Sequence, residues 1–315
     1  MTSPFSRKES EQPNDIAAIL CSDVHLSLKP PIARSAEPSW LKAMARPLKQ
    51  LKGVQEKYGA PIICAGDIFD KWNAPAELIN WALVHLPHMY AIPGQHDLPN
   101  HRYEDIRKSA FWTLIKSGKL TLIEPGTPLE LGVDNKAIRL HGFPWGFPIT
   151  PLKERGNLCL EVAVIHSYIW KKGFSYPGAN EGSMVYSYDG NLEGYTNAVF
   201  GDNHLGFMNG SRLINCGGFM RRKADEKERP CYVGLLHSSG KISRVELDCS
   251  EDKWLESEAT VEEIIGTDFS SFLKELSQLT DAAINFSEAI HYILEREKVP
   301  DSVKRIILTA LETKQ

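Results

Sequence analysis

The sequence predicts an α/β fold with both parallel and antiparallel strands, followed by a helical C-terminal segment. Apolar, strand-like runs alternate with helical patterns over roughly the first 116 residues. The later strand-like runs are short and follow one another through glycine-rich turns, which is typical of antiparallel pairing. From about residue 250 the apolar residues take up helical spacing. A hydrophobic content of 42% and a charged content of 24% suit a soluble globular chain.

The individual elements follow from these patterns. The predicted strands cover 16–22, 61–65, 89–92, 137–140, 161–165, 198–200, 212–215, 231–236 and 241–247, and the predicted helices cover 40–57, 74–86 and 103–116. Three regions result: a polar, disordered tail over 1–15, an α/β domain over 16–248 and a helical appendage over 249–315. The appendage carries 14 acidic and 7 basic residues, so it is an acidic segment on an otherwise mildly basic chain.

Several classes of protein are disfavoured by what the sequence contains. No apolar run approaches the ~18 residues of a membrane span, and the N-terminal 15 residues contain no hydrophobic segment of the signal-peptide type. The six cysteines form no C-x-x-C pair, and several lie in apolar runs. We therefore expect a cytoplasmic protein with reduced cysteines and no contact with a membrane.

Five short polar motifs each follow a predicted strand. They are Asp23-Val24-His25, Gly66-Asp67-Ile68-Phe69-Asp70, Gly94-Gln95-His96-Asp97, His166 after an apolar run, and Gly201-Asp202-Asn203-His204. Loops at the carboxyl ends of strands converge on one crevice in an α/β sheet. We therefore expect these motifs to meet, although they are far apart in the sequence.

Carboxylates, imidazoles and one amide are brought together in this way. Oxygen and nitrogen ligands without thiolates suit Mn²⁺, Fe or Mg²⁺ rather than a closed structural zinc site. Two cations ~3.5–4 Å apart can neutralise a phosphodiester and activate a water near neutral pH, and a histidine can protonate the leaving oxygen. Each motif alone has a structural explanation, such as a tight turn or a buried histidine. Their joint occurrence at strand ends favours the catalytic interpretation.

The order and spacing of these motifs resemble the signature of the calcineurin-like metallophosphoesterases. Within that superfamily the chain is most similar to SbcD-type DNA repair exonucleases, on the segments Ser22–Leu26, Gly66–Lys71, Gly142-Phe143 and 214–218. The resemblance spans residues 16–248. It implies a four-layer α/β/β/α sandwich of two mixed sheets.

The resemblance also implies roles for particular residues. Asp23, His25 and His204 hold one metal ion, Asp67 bridges two ions, and Gln95, His166 and Asp202 hold the second. It implies that His96 is the general acid and that Asp70 orients it.

Two positions depart from that signature. The family's asparagine is Gln95 here, and the first histidine of its G-H-x-H motif is Asp202. Both positions belong to the second metal, so that site is either retuned toward Mn²⁺ or Mg²⁺ or lost. We favour a retuned site because an amide oxygen and a carboxylate can both still coordinate a metal.

Basic residues near the motifs are the available indications of the substrate. Arg221, Arg222 and Lys223 follow the fifth motif, and Lys171 and Lys172 follow the fourth. They could bind a nucleic-acid backbone, with nearby aromatic residues stacking on bases. The alternative is that they form a solvated loop face. His101, Arg102 and Tyr103, just after the third motif, are further candidates.

The function predicted from these observations is two-metal hydrolysis of phosphodiesters, with DNA as the substrate and two divalent ions, Mn²⁺ first, as the cofactors. One alternative is an enzyme for small phosphoesters or nucleotides. Another is a non-catalytic metal-binding scaffold, although His96 has no purpose in a scaffold. The C-terminal helices could bind a protein partner, mediate self-association or cover a sheet edge.

Overall fold

The computed structural model describes residues 15–133, 136–153 and 159–255. The predicted N-terminal tail up to residue 14 and the predicted helical appendage from residue 256 onward lie outside the described residues. The strands are β1 Ile16–Cys21, β2 Ile62–Cys64, β3 Met89–Ala91, β4 Leu120–Leu122, β5 Leu129–Val133, β6 Lys136–Phe143, β7 Cys159–His166, β8 Asn197–Gly201, β9 Phe207–Asn209, β10 Leu213–Asn215, β11 Cys231–His237 and β12 Ile242–Leu247.

The strands form two mixed sheets of six strands each. The first has the order β12-β11-β1-β2-β3-β4, and the second has the order β5-β6-β7-β8-β10-β9. In the first sheet β1, β2, β3 and β4 run parallel, and β11 and β12 join at one edge as antiparallel strands. In the second sheet β6, β7, β8 and β10 are parallel, with antiparallel β5 and β9 at the edges. The prediction of two mixed sheets is confirmed.

The core between the sheets depends on the alternation of side chains along each strand. In β1 the side chain of Leu20 belongs to the cluster shared with the second sheet, where Val162, Val164 and Val199 lie. The adjacent Ile19 belongs to the cluster shared with the helices on the other face. Since successive residues of a strand point to opposite faces, both faces of this central strand must be apolar. That explains why β1 reads as a continuous apolar run.

Three α-helices, α1 Trp40–Tyr58, α2 Ala76–His85 and α3 Ala110–Lys116, contribute to the cluster on the outer face of the first sheet. Helix α1 begins where the Ser39 side chain accepts a hydrogen bond from the Lys42 amide, and it ends at Gly59 in the left-handed conformation (φ 62°). Met44, Leu48 and Leu51 recur at helical spacing on its buried face.

The predicted helix over 103–116 is divided in the structure. Residues Tyr103–Lys108 form a 3₁₀ helix, and α3 begins after Ser109. The Ser109 hydroxyl accepts a hydrogen bond from the Trp112 amide, so it caps the new helix. The spacing of apolar residues does not reveal such a break. The apolar pattern continues with little change across Ser109, where one helix ends and the next begins.

The outer face of the second sheet has a cover of its own. Its cluster includes Ile165 and Phe200 from the strands and Ile169 and Val185 from the long β7–β8 connection. Within residues 136–153 and 159–255, the regular structure on this side consists of 3₁₀ turns such as Val185–Tyr188. This layer is therefore built from loops and single turns.

Three strands were missed by the sequence analysis, namely β4, β5 and β9. Each contains three to five residues. A strand this short is stabilised by pairing with its neighbour in the sheet. Its few residues do not show enough alternation of apolar and polar side chains to be recognised in the sequence. In the described part of the chain, no helix is long and apolar enough to cross a membrane.

Candidate metal centre and active site

The five polar motifs lie together at the carboxyl ends of parallel strands from both sheets. Asp23 and His25 follow β1, Asp67 follows β2, and Gln95 and His96 follow β3; His166 is the last residue of β7, and Asp202 and His204 follow β8. Distances between side chains of different motifs, given below, fall between 2.7 and 3.8 Å. The first sheet therefore supplies one wall of the site and the second sheet supplies the other.

Backbone strain is concentrated at these residues. Asp23, His25, Asp67 and Asp202 all have positive φ angles, between 48° and 86°. Residues with a Cβ atom rarely adopt this conformation, and it persists where the surrounding structure enforces it. The strained turns allow the chain to leave each strand with its carboxylate or imidazole directed into the same space. Such strain is typical of a functional site.

One group of ligand atoms comprises Asp23, His25 and His204. The Nε2 atoms of the two histidines are 3.1 Å apart, and Asp23 Oδ1 lies 3.9 Å from His25 Nε2 and 3.8 Å from His204 Nε2. Burial lowers the pKa of His25 well below its ordinary value, so its imidazole is neutral and can donate a lone pair. Two facing nitrogens beside a carboxylate are a donor set that suits a divalent cation.

A second group comprises Asp23, Asp67 and His166. His166 Nδ1 donates to the carbonyl of Ala65 at 2.6 Å, which directs Nε2 toward Asp67 Oδ2 at 3.4 Å. Burial by itself would raise the pKa of Asp67, but His166 and the other histidines around it outweigh burial and lower that pKa. Asp67 is therefore ionised, and it also lies 3.6 Å from His25 Nε2. Its position between the two groups matches the bridging role that the resemblance implies.

Gln95 and Asp202, the two departures from the family signature, contact each other. Gln95 Nε2 donates to Asp202 Oδ1 at 2.7 Å, and the Asp202 amide donates to Asp23 Oδ1 at 3.1 Å. The amide group thus has its nitrogen on Asp202 and its oxygen free. A third group of ligand atoms among the described residues comprises His25, Asp67 and His96, and Asp202 lies outside all three groups. The two replacements therefore form a complementary pair.

The polar atoms of the site fit a metal centre. Asp67 Oδ2, Gln95 Oε1 and His166 Nε2 are buried and have no hydrogen-bond partner. Buried polar groups are nearly always hydrogen-bonded, so buried lone pairs without a partner that face one space fit the coordination of a cation. Gly94 leaves room for them, since a Cβ atom there would lie 2.1 Å from Asp67 Oδ1. These residues suit a hard or borderline divalent ion.

His96 lies next to the ligands and is held by the main chain. Its Nδ1 donates to the carbonyl oxygen of Asp70 at 2.8 Å, and its ring packs edge-on against His25 with the ring centroids 4.9 Å apart. Because Nδ1 carries the proton in this bond, Nε2 is available for proton transfer. Asp70 thus orients His96 through its carbonyl oxygen. The carboxylate of Asp70 instead lies 2.7 Å from Arg222 and 3.6 Å from His25 Nδ1.

A sequence profile of the calcineurin-like phosphoesterase family matches residues 17–205, which include all five motifs. The chain belongs to this family. The resemblance to metallophosphoesterases seen in the sequence is therefore confirmed at the level of the family. As a member of this family, the chain is a metal-dependent phosphoester hydrolase. No curated protein matches the chain at a significant level.

Solved structures similar to this phosphoesterase share little sequence with it. The calcineurin-like phosphoesterase YfkN of Bacillus subtilis is 12% identical, with a TM-score of 0.43 over 80% of this chain and 96% of that one. The sulfate thiohydrolase SoxB of Thermus thermophilus is 10% identical, with a TM-score of 0.43 over 84% and 62%. The NAD nucleotidase NadN of Haemophilus influenzae is 14% identical, with a TM-score of 0.40 over 90% and 60%.

The basic residues predicted to bind substrate differ in their surroundings. Arg222 is at the metal centre of this phosphoesterase, where it contacts Asp70, and its Nε atom is buried without a partner. Lys223 and Lys172 are exposed. Arg221 bonds to Asp252 and to the carbonyl of Cys249, and Lys171 bonds to the carbonyl of Met208. These two cations are engaged within the fold.

Glu226, which the sequence analysis missed, lies behind His204. Its side chain is 2% exposed, and Oε1 is 3.6 Å from His204 Nδ1. Oε2 accepts hydrogen bonds from the main-chain amides of Arg222 and Lys223. Burial would raise the pKa of Glu226, but His204, Arg229 and these amides lower it to about 2. An ionised carboxylate at this distance favours the His204 tautomer with its proton on Nδ1, which leaves Nε2 facing His25.

Asp97, also missed, connects the second and third motifs. Its carboxylate is fully buried and accepts hydrogen bonds from the amides of Ile68, Phe69 and Gly94. Burial and the adjacent Asp67 raise the pKa of Asp97 to about 7. The sequence feature that could have indicated this role is the position of Asp97 in a tight turn directly after His96. An acidic side chain in such a turn often accepts hydrogen bonds from main-chain N–H groups. The long reach to residues 68 and 69 was not predictable.

Proposed function

We propose that this chain hydrolyses phosphodiester bonds with two divalent cations, and that DNA is its substrate. The observation that carries the proposal is the cluster of orphaned ligand atoms at Asp67, Gln95 and His166, with His96 beside it. Metal ligands alone would suit a storage or structural site. A histidine whose ring is oriented by a main-chain carbonyl, next to those ligands, supports acid–base chemistry in addition.

The proposed first site consists of Asp23, His25 and His204, and the proposed second site consists of Gln95, His166 and Asp202, with Asp67 shared. Two bound divalent ions would neutralise phosphate oxygens and activate a water for in-line attack. The predominance of oxygen and imidazole ligands favours Mn²⁺, with Mg²⁺ or Fe as alternatives. Gln95 contributes its free amide oxygen in this scheme, while its nitrogen holds Asp202 in place.

His96 and Arg222 act on the substrate from the protein side of the site. His96, protonated at Nε2, donates that proton to the leaving oxygen, while its Nδ1–H stays on the Asp70 carbonyl. Arg222 is 2.7 Å from Asp70 and retains an unpartnered Nε–H, so it can donate a hydrogen bond to a phosphate oxygen. The Asp70 carboxylate fixes the guanidinium beside the metal ligands.

DNA is favoured by the cations beyond the centre. Lys223 continues the segment that carries Arg222, and Lys172 follows the strand that ends at His166; both are exposed. Exposed cations that flank a phosphate site can neutralise neighbouring phosphates of a nucleic-acid strand. The proposed role for Lys223 and Lys172 is therefore to hold the backbone on either side of the reacting phosphate.

A specific observation also supports the alternative of a small phosphoester substrate. Arg221 and Lys171, two of the five predicted backbone contacts, are occupied by intramolecular hydrogen bonds. The remaining positive surface is correspondingly smaller. A short ester that needs only Arg222 and the metal ions would be bound equally well by this arrangement.

One assay separates these candidates. The purified protein with Mn²⁺ is given single-stranded DNA, double-stranded DNA and bis(p-nitrophenyl) phosphate, and Asp67→Asn serves as the matched inactive control. We expect DNA to be cleaved, with a rate that falls steeply as salt rises. Cleavage of the small diester alone would favour the alternative, and hydrolysis of neither substrate would overturn the proposal.

A further inference from the structure

A cavity of about 280 Å³ adjoins the metal centre on the His96 side. One wall is formed by Gln95 and His96, and the others are formed by the segment 70–73, Leu98 and the turn at Asn100 and His101. None of the residues in that segment or turn belongs to the metal ligands. The volume lies just below the ~300–1,000 Å³ typical of pockets for small molecules, so the cavity suits one ring system.

The position of the cavity relates it to one part of the substrate. His96 contacts the metal ligand His25 through its ring and also lines the cavity. If His96 protonates the leaving oxygen, as proposed above, that oxygen lies beside His96. The group attached to it then extends away from the metal ligands and into the cavity. The cavity is thus placed to receive the leaving group.

The walls of the cavity have the chemistry that binds a nucleobase. Trp72 is a large aromatic side chain with 37% of its surface exposed, and base–aromatic stacking is the main contact of proteins with unpaired bases. Asn73 and Asn100 are exposed amides, which can both donate to and accept from the edge of a base. The one carboxylate among the lining residues, Asp70, is paired with Arg222, so it does not repel phosphate.

The cavity walls are held rigidly. Asn100 and His101 are consecutive residues in the left-handed conformation, with φ of 52° and 57°. His101 donates its amide to the Leu98 carbonyl and places its Nδ1 3.0 Å from the Gln95 carbonyl. The Trp72 carbonyl accepts from the amide of Ala110, the first residue of α3, at 2.7 Å. The main chain at Trp72 and the opposite turn are therefore fixed, which reduces the entropic cost of binding.

We propose that this cavity is the subsite for the leaving group, that it binds the base of a leaving nucleoside, and that Trp72 is its stacking residue. The proposal rests on the proposed hydrolysis of phosphoesters. It assigns to this site a specificity for nucleoside esters, whether the nucleoside is the end of a nucleic-acid strand or part of a free nucleotide.

The test compares Trp72→Ala with wild type on two substrates, both with Mn²⁺. One substrate is a dinucleotide, and the other is the same compound with an abasic leaving sugar. For the dinucleotide we expect kcat/KM to fall by about 10- to 100-fold, the range for loss of one stacked base. For the abasic compound we expect no change. Trp72→Phe should retain most of the activity, and Tyr186→Ala, which removes an exposed ring from the outer cover of the second sheet, should change neither rate.

The outcomes distinguish the subsite from the general function. Equal losses on both substrates would assign Trp72 a structural role and overturn the subsite. Hydrolysis of bis(p-nitrophenyl) phosphate by wild type with no preference for the dinucleotide over its abasic form would also overturn the subsite, while the hydrolase stands. If wild type hydrolyses none of these compounds, the proposed function fails. Calorimetric binding of thymidine, weakened in Trp72→Ala, then decides the subsite independently.

A third substrate distinguishes the two sources of the nucleoside. A nucleoside monophosphate has no second nucleoside, and it carries the same leaving group as the dinucleotide when its phosphate is on the oxygen, 3′ or 5′, that leaves from the dinucleotide. Hydrolysis of the monophosphate with the same dependence on Trp72 would identify a nucleotide as a substrate. Hydrolysis of the dinucleotide alone would identify a nucleic-acid strand.

Discussion

At the scale of single residues, His96 is held by the main chain, as His166 is held through the Ala65 carbonyl. The amide of His96 donates to Asp67 Oδ1 at 3.0 Å, and its Nδ1 donates to the Asp70 carbonyl. Both contacts orient the ring without using Nε2. The metal-ligand candidates His166 and Asp67 are instead fully buried, with Nε2 and Oδ2 lacking a hydrogen-bond partner, whereas His96 is partly exposed. This contrast separates the proposed general acid from the proposed ligands.

The contrast predicts distinct effects of two substitutions. His96→Asn should leave metal content intact and lower turnover of an unactivated diester by about 10²–10⁴, the usual contribution of acid–base catalysis. A nitrophenyl diester needs little protonation of its leaving group, so it should largely rescue this variant. Metal analysis and rates on both substrates provide the measurement.

Asp67→Asn is the matched comparison, because it removes the charge shared by both proposed sites. We expect it to lose metal and activity together, with no rescue by the activated ester. Loss of metal from His96→Asn, or failure of the activated ester to rescue it, would show that His96 is a ligand.

At the scale of elements, a cluster of charges connects α1 to the segment after β12. Glu37, which precedes α1, accepts from Arg34 and Arg46, and Asp252 accepts from the same two arginines. The Glu37 side chain is 1% exposed. Burial would raise the pKa of Glu37, but hydrogen bonds from Arg46, Lys253 and Arg34 outweigh burial and lower it. A buried carboxylate of this kind stabilises the fold only while it is ionised.

This cluster predicts a dependence of stability on pH. Because the pKa of Glu37 is lower in the folded state than in the unfolded state, its contribution is complete above the unfolded value of about 4.3 and is lost as pH falls through the folded value. Glu37→Gln should lower the free energy of unfolding by about 3 kcal/mol at pH 7, because the two buried or half-buried arginines keep Asp252 but lose the other carboxylate of the cluster. The difference between wild type and variant should shrink toward acid pH.

Urea unfolding of both proteins between pH 3 and 7 measures this effect. Glu56→Gln is the control, since Glu56 is exposed and forms only a surface pair with Lys52. It should change stability by less than about 1 kcal/mol at any pH. A Glu37→Gln difference that is constant with pH would mean that lost packing, rather than charge, is responsible.

At the scale of the whole molecule, the proposed metal centre joins the two sheets. Asp23 and Asp67 extend from strands of the first sheet, and His166 and His204 extend from strands of the second. Bound ions would therefore stabilise the contact between sheets in addition to supporting catalysis. The hydrophobic clusters on both sheets do not include these residues, so the fold should persist without ions.

The predicted consequence is a thermal shift on metal binding. Mn²⁺ at 100 times its dissociation constant should add about 2.7 kcal/mol, which raises Tm by about 5–10 °C for a domain of this size. Excess chelator should abolish activity and the shift, while far-ultraviolet circular dichroism stays unchanged. Asp67→Asn should show no shift. Full activity in excess chelator would contradict the two-metal mechanism.

The sequence by itself determined most of the strands and the five motifs at strand ends, and its resemblance to a family supplied the arrangement in two mixed sheets. Continuous apolar runs such as β1 and polar residues directly after them are local patterns, and local patterns are readable without coordinates. The boundaries of β1, β2 and β11 agree with the predicted runs to within one residue at each end. The helical appendage and the roles of its residues stay predictions, because they lie outside the described residues.

Only the tertiary structure decided which polar groups meet. Gln95 finds Asp202, Glu226 lies behind His204, and Arg222 rather than Arg221 reaches the site. Gln95 and Asp202 are 107 positions apart, and two adjacent arginines look alike in the sequence. A hydrogen bond requires its atoms within about 3.2 Å and well aligned, so its partners depend on the exact path of the connecting loops. The pattern of residues in a sequence shows the alternation of side chains along a strand, but it does not give the path of the connecting loops.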